Sequence, residues 1–289
     1  MTRLISFLAH AVYMGTPLLF GTVGEIQNEK AGHLNLGVEG TMAMGACAGF
    51  MVAYKTGSLW LSILAAFLMG ALVSLIYAFL TITMMANQNV TGLTLTIFGT
   101  GLSNFIGEQM ISASPTGNLK LPDGVMSSLK NIDIPLLSKI PVLGEVLFSQ
   151  NIFTYLSIVI AVIMFIYLKK TKVGLNLRTI GENPAVADAV GISVVKYKYI
   201  NVLIGGGICG IGGAFCSMVI NGGVWMANSV NGLGWIAVAL VIFAVWNPAR
   251  AIYGAYIFGA FMVLKYYFPK NLGFTVPAVS YTHLRAHET

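Results

Sequence analysis

Few residues of this sequence carry ionisable chemistry into its apolar segments, and Glu39 is the most prominent of them. It lies in the stretch LNLGVEGTMAMGA, where Asn35 precedes it and Gly37 and Gly40 flank it. An ionisable group at membrane depth is costly and is usually functional or paired. The glycines permit a broken helix around Glu39, where free backbone N–H groups could hold the carboxylate. Two hypotheses stay open: a structural carboxylate that ties this break together, or a direct contact with a solute.

A second polar group lies in the apolar block that follows Asn89. Thr96, Thr100 and Asn104 are four residues apart, so they share one face of a helix. Such a face could line a pore for a polar, uncharged solute, or it could form hydrogen bonds between helices. Both interpretations remain possible, and Asn89 belongs to the same candidate pathway.

A third candidate is the glycine-rich turn that holds Trp225, Asn228 and Asn231. Tryptophan beside asparagine is suited to stacking a ring and to hydrogen-bonding its edge, and such a turn could form an entrance. Packing explains the same residues equally well.

No group of residues predicts catalysis or a metal site. The chain has no G-x-x-x-x-G-K-[ST] sequence, so it shows no sign of binding ATP. Residues 205–210 fit G-x-G-x-x-G, but no strand precedes them, and the small residues Gly206, Gly210 and Ala214 predict close helix packing instead. The three cysteines lie in apolar segments without the spacing of metal ligands. We therefore expect a non-enzymatic chain with no cofactor of its own.

Composition defines the elements that must position these residues. The chain has 289 residues, of which 56% are hydrophobic and only 9% are charged. Soluble domains carry about 25% charged residues, so the sequence predicts an all-α polytopic membrane protein. The net charge of +6 is expected in cytoplasmic loops rather than at a nucleic-acid surface. About eight segments are long enough to be spans: Leu4–Val23, Leu34–Tyr54, Leu59–Met84, Val90–Gly107, Ile152–Leu168, Tyr199–Ile220, Leu233–Trp246 and Ile252–Phe268. The seventh is short and could be tilted, broken or re-entrant.

The histidine and acidic content of these segments bears on a rival class, the secondary transporter or channel. Proton coupling would need acidic residues or histidines inside the spans, and no second one besides Glu39 lies well inside a predicted span. Against that class stands the basic loop between the fifth and sixth segments.

That loop, residues 169–198, contains a complete short-helix signature. Asn183 can act as the N-cap, Pro184 suits the first helical position, and Gly191 suits the C-terminal stop. The loop is basic, so the positive-inside rule predicts that it is cytoplasmic. Alternation then places residues 108–150 and the N-terminus outside. A short capped helix between two spans buries little by itself and is suited to docking into another protein.

The last eleven residues, Val279–Thr289, differ abruptly in composition from the rest. They resemble the translation of a sequencing adapter, so we expect the native transmembrane domain to end by residue 278, with a further span lost beyond it. His283 and His287 are for this reason not interpreted as a metal site.

Five stretches carry a resemblance to a known family: GEIQNEKAGHLNLGVEGTMAMGA, ANQNVTGLTLTIFGTGL, IPLLSKIPVLGEVLF, VGLNLRTIGENPAVADAVGIS and GWIAVALVIFAVWNPARAIYGAYIFGA. Together they resemble the permeases of bacterial ABC importers, in the branched-chain amino acid and monosaccharide permease group. Within that group the sequence is most similar to the shorter membrane subunit of nucleoside importers.

The resemblance implies a type II importer fold and a multi-pass protein of the bacterial inner membrane. It implies three protein partners: an ATPase that binds ATP and Mg²⁺, a second, paralogous permease in a heterodimer, and an extracytoplasmic solute-binding lipoprotein. It also implies that the loop helix is the coupling helix that inserts into the ATPase. Its candidate residues are Arg178, Glu182, Asn183, Pro184, Ala185, Ala187, Asp188 and Gly191. A ribose-like sugar or a branched-chain amino acid remains the alternative substrate.

Overall fold

The structure is a computed structural model that describes residues 2–114, 117–133 and 143–267. It is mostly helical, and α3 and α10 each continue into one π-helical turn, Phe79–Thr83 and Cys216–Ile220. The long helices are α1 (Thr2–Lys30), α2 (Val38–Thr56), α3 (Leu59–Ala78), α4 (Gln88–Ala113), α7 (Ile152–Lys170), α10 (Val194–Phe215) and α12 (Pro248–Tyr267). The shorter elements are α5 (Asp123–Ser128), β1 (Ile132–Asp133), α6 (Leu143–Leu147), β2 (Ser149–Gln150), α8 (Lys172–Glu182), α9 (Pro184–Ala189) and α11 (Leu233–Phe243).

Four of the described helices are long and apolar enough to cross a membrane: Arg3–Lys30, Leu59–Thr83, Ile152–Lys170 and Val194–Ile220. Each of the eight predicted segments coincides largely with one helix, but these four alone meet the length and hydropathy that spanning requires. The chain is therefore a multi-pass helical membrane protein.

The first helix is longer than the sequence predicted. The expected span ended at Val23, whereas α1 continues to Lys30 and carries Glu25 fully buried. The prediction that no second acidic residue lies well inside a span is therefore wrong. The polar sequence after Val23 was interpreted as a loop. Its hydrogen-bond partners come from other segments, so the local sequence does not show that these polar groups are satisfied.

The core is built around the glycines of α10, which packs against α3, α1 and α2. A Cβ atom at Gly45 would overlap the backbone of Gly210, and one at Gly210 would overlap the carbonyl of Ala66. Close backbone approach of this kind is the packing that small residues permit between membrane helices. The predicted role of Gly206, Gly210 and Ala214 in helix packing is confirmed.

Residues 117–133 pack over one end of the helices. The backbone N–H of Leu121 donates to the carbonyl of Gly223 at 2.8 Å, and that of Trp225 donates to the carbonyl of Leu119 at 3.0 Å. β1 and β2 pair antiparallel, with Ile132 opposite Gln150. The predicted outside segment 108–150 begins later than expected, because α4 runs on to Ala113. Residues 134–142 of that segment, and the proposed adapter residues 279–289, lie outside the described residues.

Candidate functional site

A polar cavity of about 330 Å³ opens between α2, α4 and the turn before α11. Its lining residues are Glu39, Ala43, Ala46, Thr100, Ser103, Asn104, Asn228, Ser229, Val230, Asn231 and Gly232. Small-molecule sites have volumes of about 300–1,000 Å³, so this cavity is large enough for a small polar solute. Six of its eleven lining residues carry an amide or hydroxyl group, and Glu39 is its one charged member.

The carboxylate of Glu39 is held by the backbone at the start of α11. Its Oε1 accepts from the N–H of Gly232 at 2.8 Å, and its Oε2 accepts from the N–H of Gly234 at 2.7 Å. Hydrogen bonds to a charged group contribute about 1.5–3 kcal/mol each, and the N-terminus of a helix favours negative charge. Glu39 therefore ties α2 to the start of α11, rather than to the break beside it that the structural hypothesis named.

The glycines beside Glu39 have a different role from the expected one. The N–H groups that hold the carboxylate come from Gly232 and Gly234, which the sequence analysis did not single out. Gly40 instead lies against the backbone of α4 at Leu95 and Thr96. The helix break precedes α2, and the Gly37 N–H there donates to the side chain of Asn35 at 2.8 Å.

Asn104 and Asn228 join the two sides of the cavity by reciprocal hydrogen bonds. The Asn104 side-chain amide donates to Oδ1 of Asn228 at 2.8 Å, and the backbone N–H of Asn228 donates to Oδ1 of Asn104 at 2.9 Å. Asn228 and Asn231 both have positive φ angles, 53° and 49°, which asparagine tolerates better than most residues. The turn that places both amides at the cavity therefore depends on asparagine, which tolerates its left-handed backbone conformation.

The shared face of α4 makes a hydrogen bond to another segment at one position and lines the cavity at two others. Thr96 donates to the carbonyl of Leu36 at 3.0 Å, which is a contact between segments. Thr100 donates to the Thr96 carbonyl at 2.7 Å within α4 and lines the cavity together with Asn104.

Three other candidates lie away from this cavity. Asn35 is buried, and its N–H donates to Oε1 of Glu25 at 2.7 Å. Asn89 is exposed in the first turn of α4, about 22 Å along the helix from Asn104. Trp225 is 5% exposed and packs against Phe50, with ring centroids 5.4 Å apart. The structure therefore favours the packing interpretation of Trp225.

The connector between α1 and α2 contains two buried polar residues, His33 and Asn35. Asn28 donates to Oε2 of Glu25 at 2.8 Å, so Glu25 binds both α1 and the connector. The ring of His33 packs edge-on to Tyr77, and neither ring nitrogen has a hydrogen-bond partner among the described residues. Burial, and then the charge of Lys198, lower the pKa of His33 to about 4, so this histidine is neutral near pH 7.

The predicted short helix in the basic loop is confirmed as α9. Oδ1 of Asn183 accepts from the N–H groups of Ala185 and Val186 at 3.1 and 3.2 Å, and Pro184 is the first helical residue. Gly191 has φ of +80° and follows the helix. The preceding helix α8, which contains Arg178 and Glu182, was not predicted.

The side chain of Ala187 is fully buried, which corrects its expected position on a docking face. α9 packs against α8 and α10, and Ala187 is the buried residue of α9. The exposed apolar residues are Val186, 52% exposed, and Val190, 69% exposed. Asp188 is also exposed.

α8 contacts the connector directly. Gly181 and Gly32 are in close approach, and a Cβ atom added to Gly32 would lie 3.5 Å from the Cα of Gly181. The loop that follows α7 is therefore in contact with the segment that leads into Glu39.

The fold and this cavity define a class of protein, a multi-pass helical membrane protein with a polar internal cavity. Residues 7–281 match the family described as the branched-chain amino acid transport system, permease component, and the chain belongs to that family. No solved structure matches the chain significantly.

Several characterised relatives are similar over most of their length. A protein of Haloferax volcanii, provisionally named a glucose ABC transporter permease, is 37% identical over 254 residues, which cover 88% of this chain and 75% of that protein. A nucleoside ABC transporter permease of Lactococcus lactis is 34% identical, covering 89% of this chain and 81% of that protein. A guanosine ABC transporter permease of Bacillus subtilis is also 34% identical, with the same two coverages.

Proposed function

We propose that this chain forms the translocation pathway for nucleosides in an ATP-driven importer. Membership of the permease family supports the transport class. The observation that carries the proposal is the cavity beside Glu39, whose lining carries amide and hydroxyl groups, no basic residue and a single carboxylate that already accepts two backbone hydrogen bonds.

The charge of the cavity bears on the solute. A branched-chain amino acid would bring an ammonium and a carboxylate, and burying unpaired charges is costly. Amide and hydroxyl groups such as those of Asn104, Asn228 and Ser103 are suited to a neutral solute rich in hydroxyls and ring nitrogens. Nucleosides and monosaccharides are both neutral and rich in hydroxyls, whereas ring nitrogens belong to the nucleoside alone. The nucleoside and guanosine permeases among the relatives support the nucleoside.

A monosaccharide is the second candidate. The observation that favours it is the relative from Haloferax volcanii, whose 37% identity is higher than that of the two nucleoside relatives. The cavity suits both candidates, because a monosaccharide and a nucleoside are both neutral solutes with several hydroxyl groups.

The assembly that we propose has four kinds of subunit. This chain would cross the bacterial inner membrane with several segments and pair with a second, paralogous permease. A lipoprotein would deliver solute from outside, and an ATPase carrying ATP and Mg²⁺ would dock against the cytoplasmic loop 169–198. Exposed Val186 and Val190 on the surface of that loop support such a contact.

Competition for uptake tests the substrate. The assay would measure labelled uridine and adenosine uptake in cells that express this gene with its ATPase, partner permease and binding protein. Excess unlabelled nucleoside should block uptake, whereas glucose, ribose and leucine should not. Uptake blocked by glucose or ribose would replace the nucleoside by a monosaccharide, and uptake blocked by leucine would overturn the argument from cavity charge.

A further inference from the structure

A second cavity, of about 270 Å³, lies at the end of the molecule that carries α8. Its lining includes four basic side chains, Lys30, Lys169, Arg178 and Arg250, and one carboxylate, that of Glu182. These residues come from α1, α7, α8 and α12, so four separate helices bring positive charge to one place. The solute pathway proposed above does not use this cavity.

The helix dipole explains the positions of only two of these four basic residues. Lys30 and Lys169 lie in the last turns of α1 and α7, where the helix dipole favours cations. Arg250 has the opposite position, in the first turn of α12, where the dipole disfavours a cation. Its placement there is accounted for if an anion lies nearby.

Arg178 supplies an independent observation. Its Nε atom is buried and has no hydrogen-bond acceptor among the described residues. A buried donor without an acceptor is costly, and such groups in native proteins require an explanation such as a missing ligand. An acceptor oxygen in the cavity would satisfy this donor, and phosphate, like carboxylate, matches the planar fork of the arginine guanidinium.

The carboxylate of Glu29 accepts a hydrogen bond from the indole N–H of Trp246 and makes none with Nε of Arg178. Trp246 and Val245 both have left-handed backbone conformations, with φ of 51° and 52°. Strained residues of this kind persist where the surrounding structure fixes them and are concentrated at binding sites.

Exposed apolar side chains continue from the cavity along the membrane-facing helices. Ile242, Phe243 and Val245 at the end of α11 are 66%, 67% and 54% exposed. On α7, Ile163 and Ile166 are 55% and 49% exposed. A ligand with an anionic head and apolar tails fits both surfaces at once, whereas a free anion would use only the first.

We propose that this basic cavity binds the phosphate headgroup of an anionic phospholipid from the leaflet that borders α8. Basic pockets between membrane helices on the cytoplasmic side are suited to such headgroups. Because Arg178 belongs to α8, the bound lipid would stabilise the position of the segment that we propose couples to the ATPase.

Lipid binding to the full-length protein in detergent tests this proposal. Native mass spectrometry would measure retained phosphatidylglycerol, with phosphatidylcholine and inorganic phosphate as the comparison probes. Arg178→Gln and Arg250→Gln should each weaken phosphatidylglycerol binding about fivefold, which is the effect expected for one basic residue at an anionic lipid. Lys196→Gln is the matched control, because Lys196 is exposed at the start of α10 and does not line the cavity.

The outcomes separate the possible ligands. Selective retention of phosphatidylglycerol that both arginine variants reduce, and that Lys196→Gln leaves unchanged, would support the proposal. Equal retention of the two lipids, or unchanged binding in the Arg250→Gln variant, would overturn it. Displacement of the lipid by millimolar inorganic phosphate would also overturn it, and would assign the cavity to a free anion. Arg250 is exposed, so its variant remains informative if Arg178→Gln fails to fold.

Discussion

The carboxylate of Glu39 accepts a hydrogen bond from the backbone N–H of Gly234 at 2.7 Å, across 195 positions of sequence. This contact joins the start of α2 to the start of α11 at the edge of the polar cavity. α11 has only 11 residues, so it extends about 16 Å, which is too short to cross a bilayer. Glu39 thus compensates the free N–H groups of a helix that begins inside the protein.

Glu39→Gln should destabilise the protein, because the amide can accept through one oxygen only and presents an NH₂ group to the other N–H donor. The expected loss in free energy of unfolding is about 2 kcal/mol or more. Thermal unfolding in detergent and the yield of folded protein would measure it. Glu108→Gln is the control, since Glu108 is exposed on α4; similar melting temperatures for both variants would make the Glu39 contacts incidental.

Gly45→Ala should be strongly destabilising, because the added methyl group would overlap the backbone of Gly210. Overpacking of a close-packed core costs about 1–3 kcal/mol. Gly101→Ala is a matched control on α4, where a Cβ atom would have no neighbour within 4 Å. Alanine is the better helix former by about 1 kcal/mol, so this control should be neutral or stabilising. Equal destabilisation by both substitutions would contradict the proposed packing of α2 against α10.

Asn104→Ala should reduce solute uptake even after correction for any loss of folded protein. It removes the reciprocal pair with Asn228 and one polar group of the cavity. Loss of one solute hydrogen bond of about 1.4 kcal/mol would lower uptake about tenfold. Initial uptake rates, corrected for the amount of protein in the membrane, would measure this. Thr94→Ala is the control, because exposed Thr94 bonds only within its own helix, and an equal loss in both variants would exclude a specific role for Asn104.

Val190→Asp should weaken docking of the ATPase and so lower the ATP hydrolysis that solute stimulates. Val190 is 69% exposed beside α9, so a charge there should leave the fold intact while it disrupts an apolar contact with the ATPase. Solute-stimulated ATP hydrolysis by the assembled importer should fall about tenfold, as for one interface anchor. Val195→Asp, 58% exposed on α10, tests whether the contact is confined to α9, and wild-type hydrolysis in the Val190→Asp variant would rule out docking at this surface. Ala187→Arg is less informative, because Ala187 is buried and the change would disturb packing directly.

Local sequence was sufficient where the stabilising contacts are local. Asn183, Pro184 and Gly191 specify α9 within nine residues, and the structure has the predicted caps. The small-residue stripe of α10 likewise predicts close packing without naming the helices that it meets.

One cause of the incorrect predictions is that polar groups are satisfied by partners in other segments of the chain. Glu25 and its polar neighbours look like a loop because the chain alone does not show that Asn35 will donate to Glu25. α8 was not predicted, because the basic charge of residues 169–198 indicated a cytoplasmic loop. Its buried residues Gly174, Leu177 and Ile180 nonetheless recur at helical spacing, and this was the available signal.

The cavity was predicted in part. Glu39, Thr100 and Asn104 were candidates because polar residues in apolar segments are conspicuous. Gly232 and Gly234 were not, since a backbone N–H group has no signature in residue type, and its partner is 193 or 195 residues away.

Uptake of labelled uridine into vesicles that hold the complete importer, measured with and without the ATPase subunit, tests the central claim most directly. We predict uptake that requires both the ATPase and hydrolysable ATP. Uptake at the same rate in vesicles that lack the ATPase would contradict the importer mechanism. That result would favour the rival class, a secondary transporter or channel.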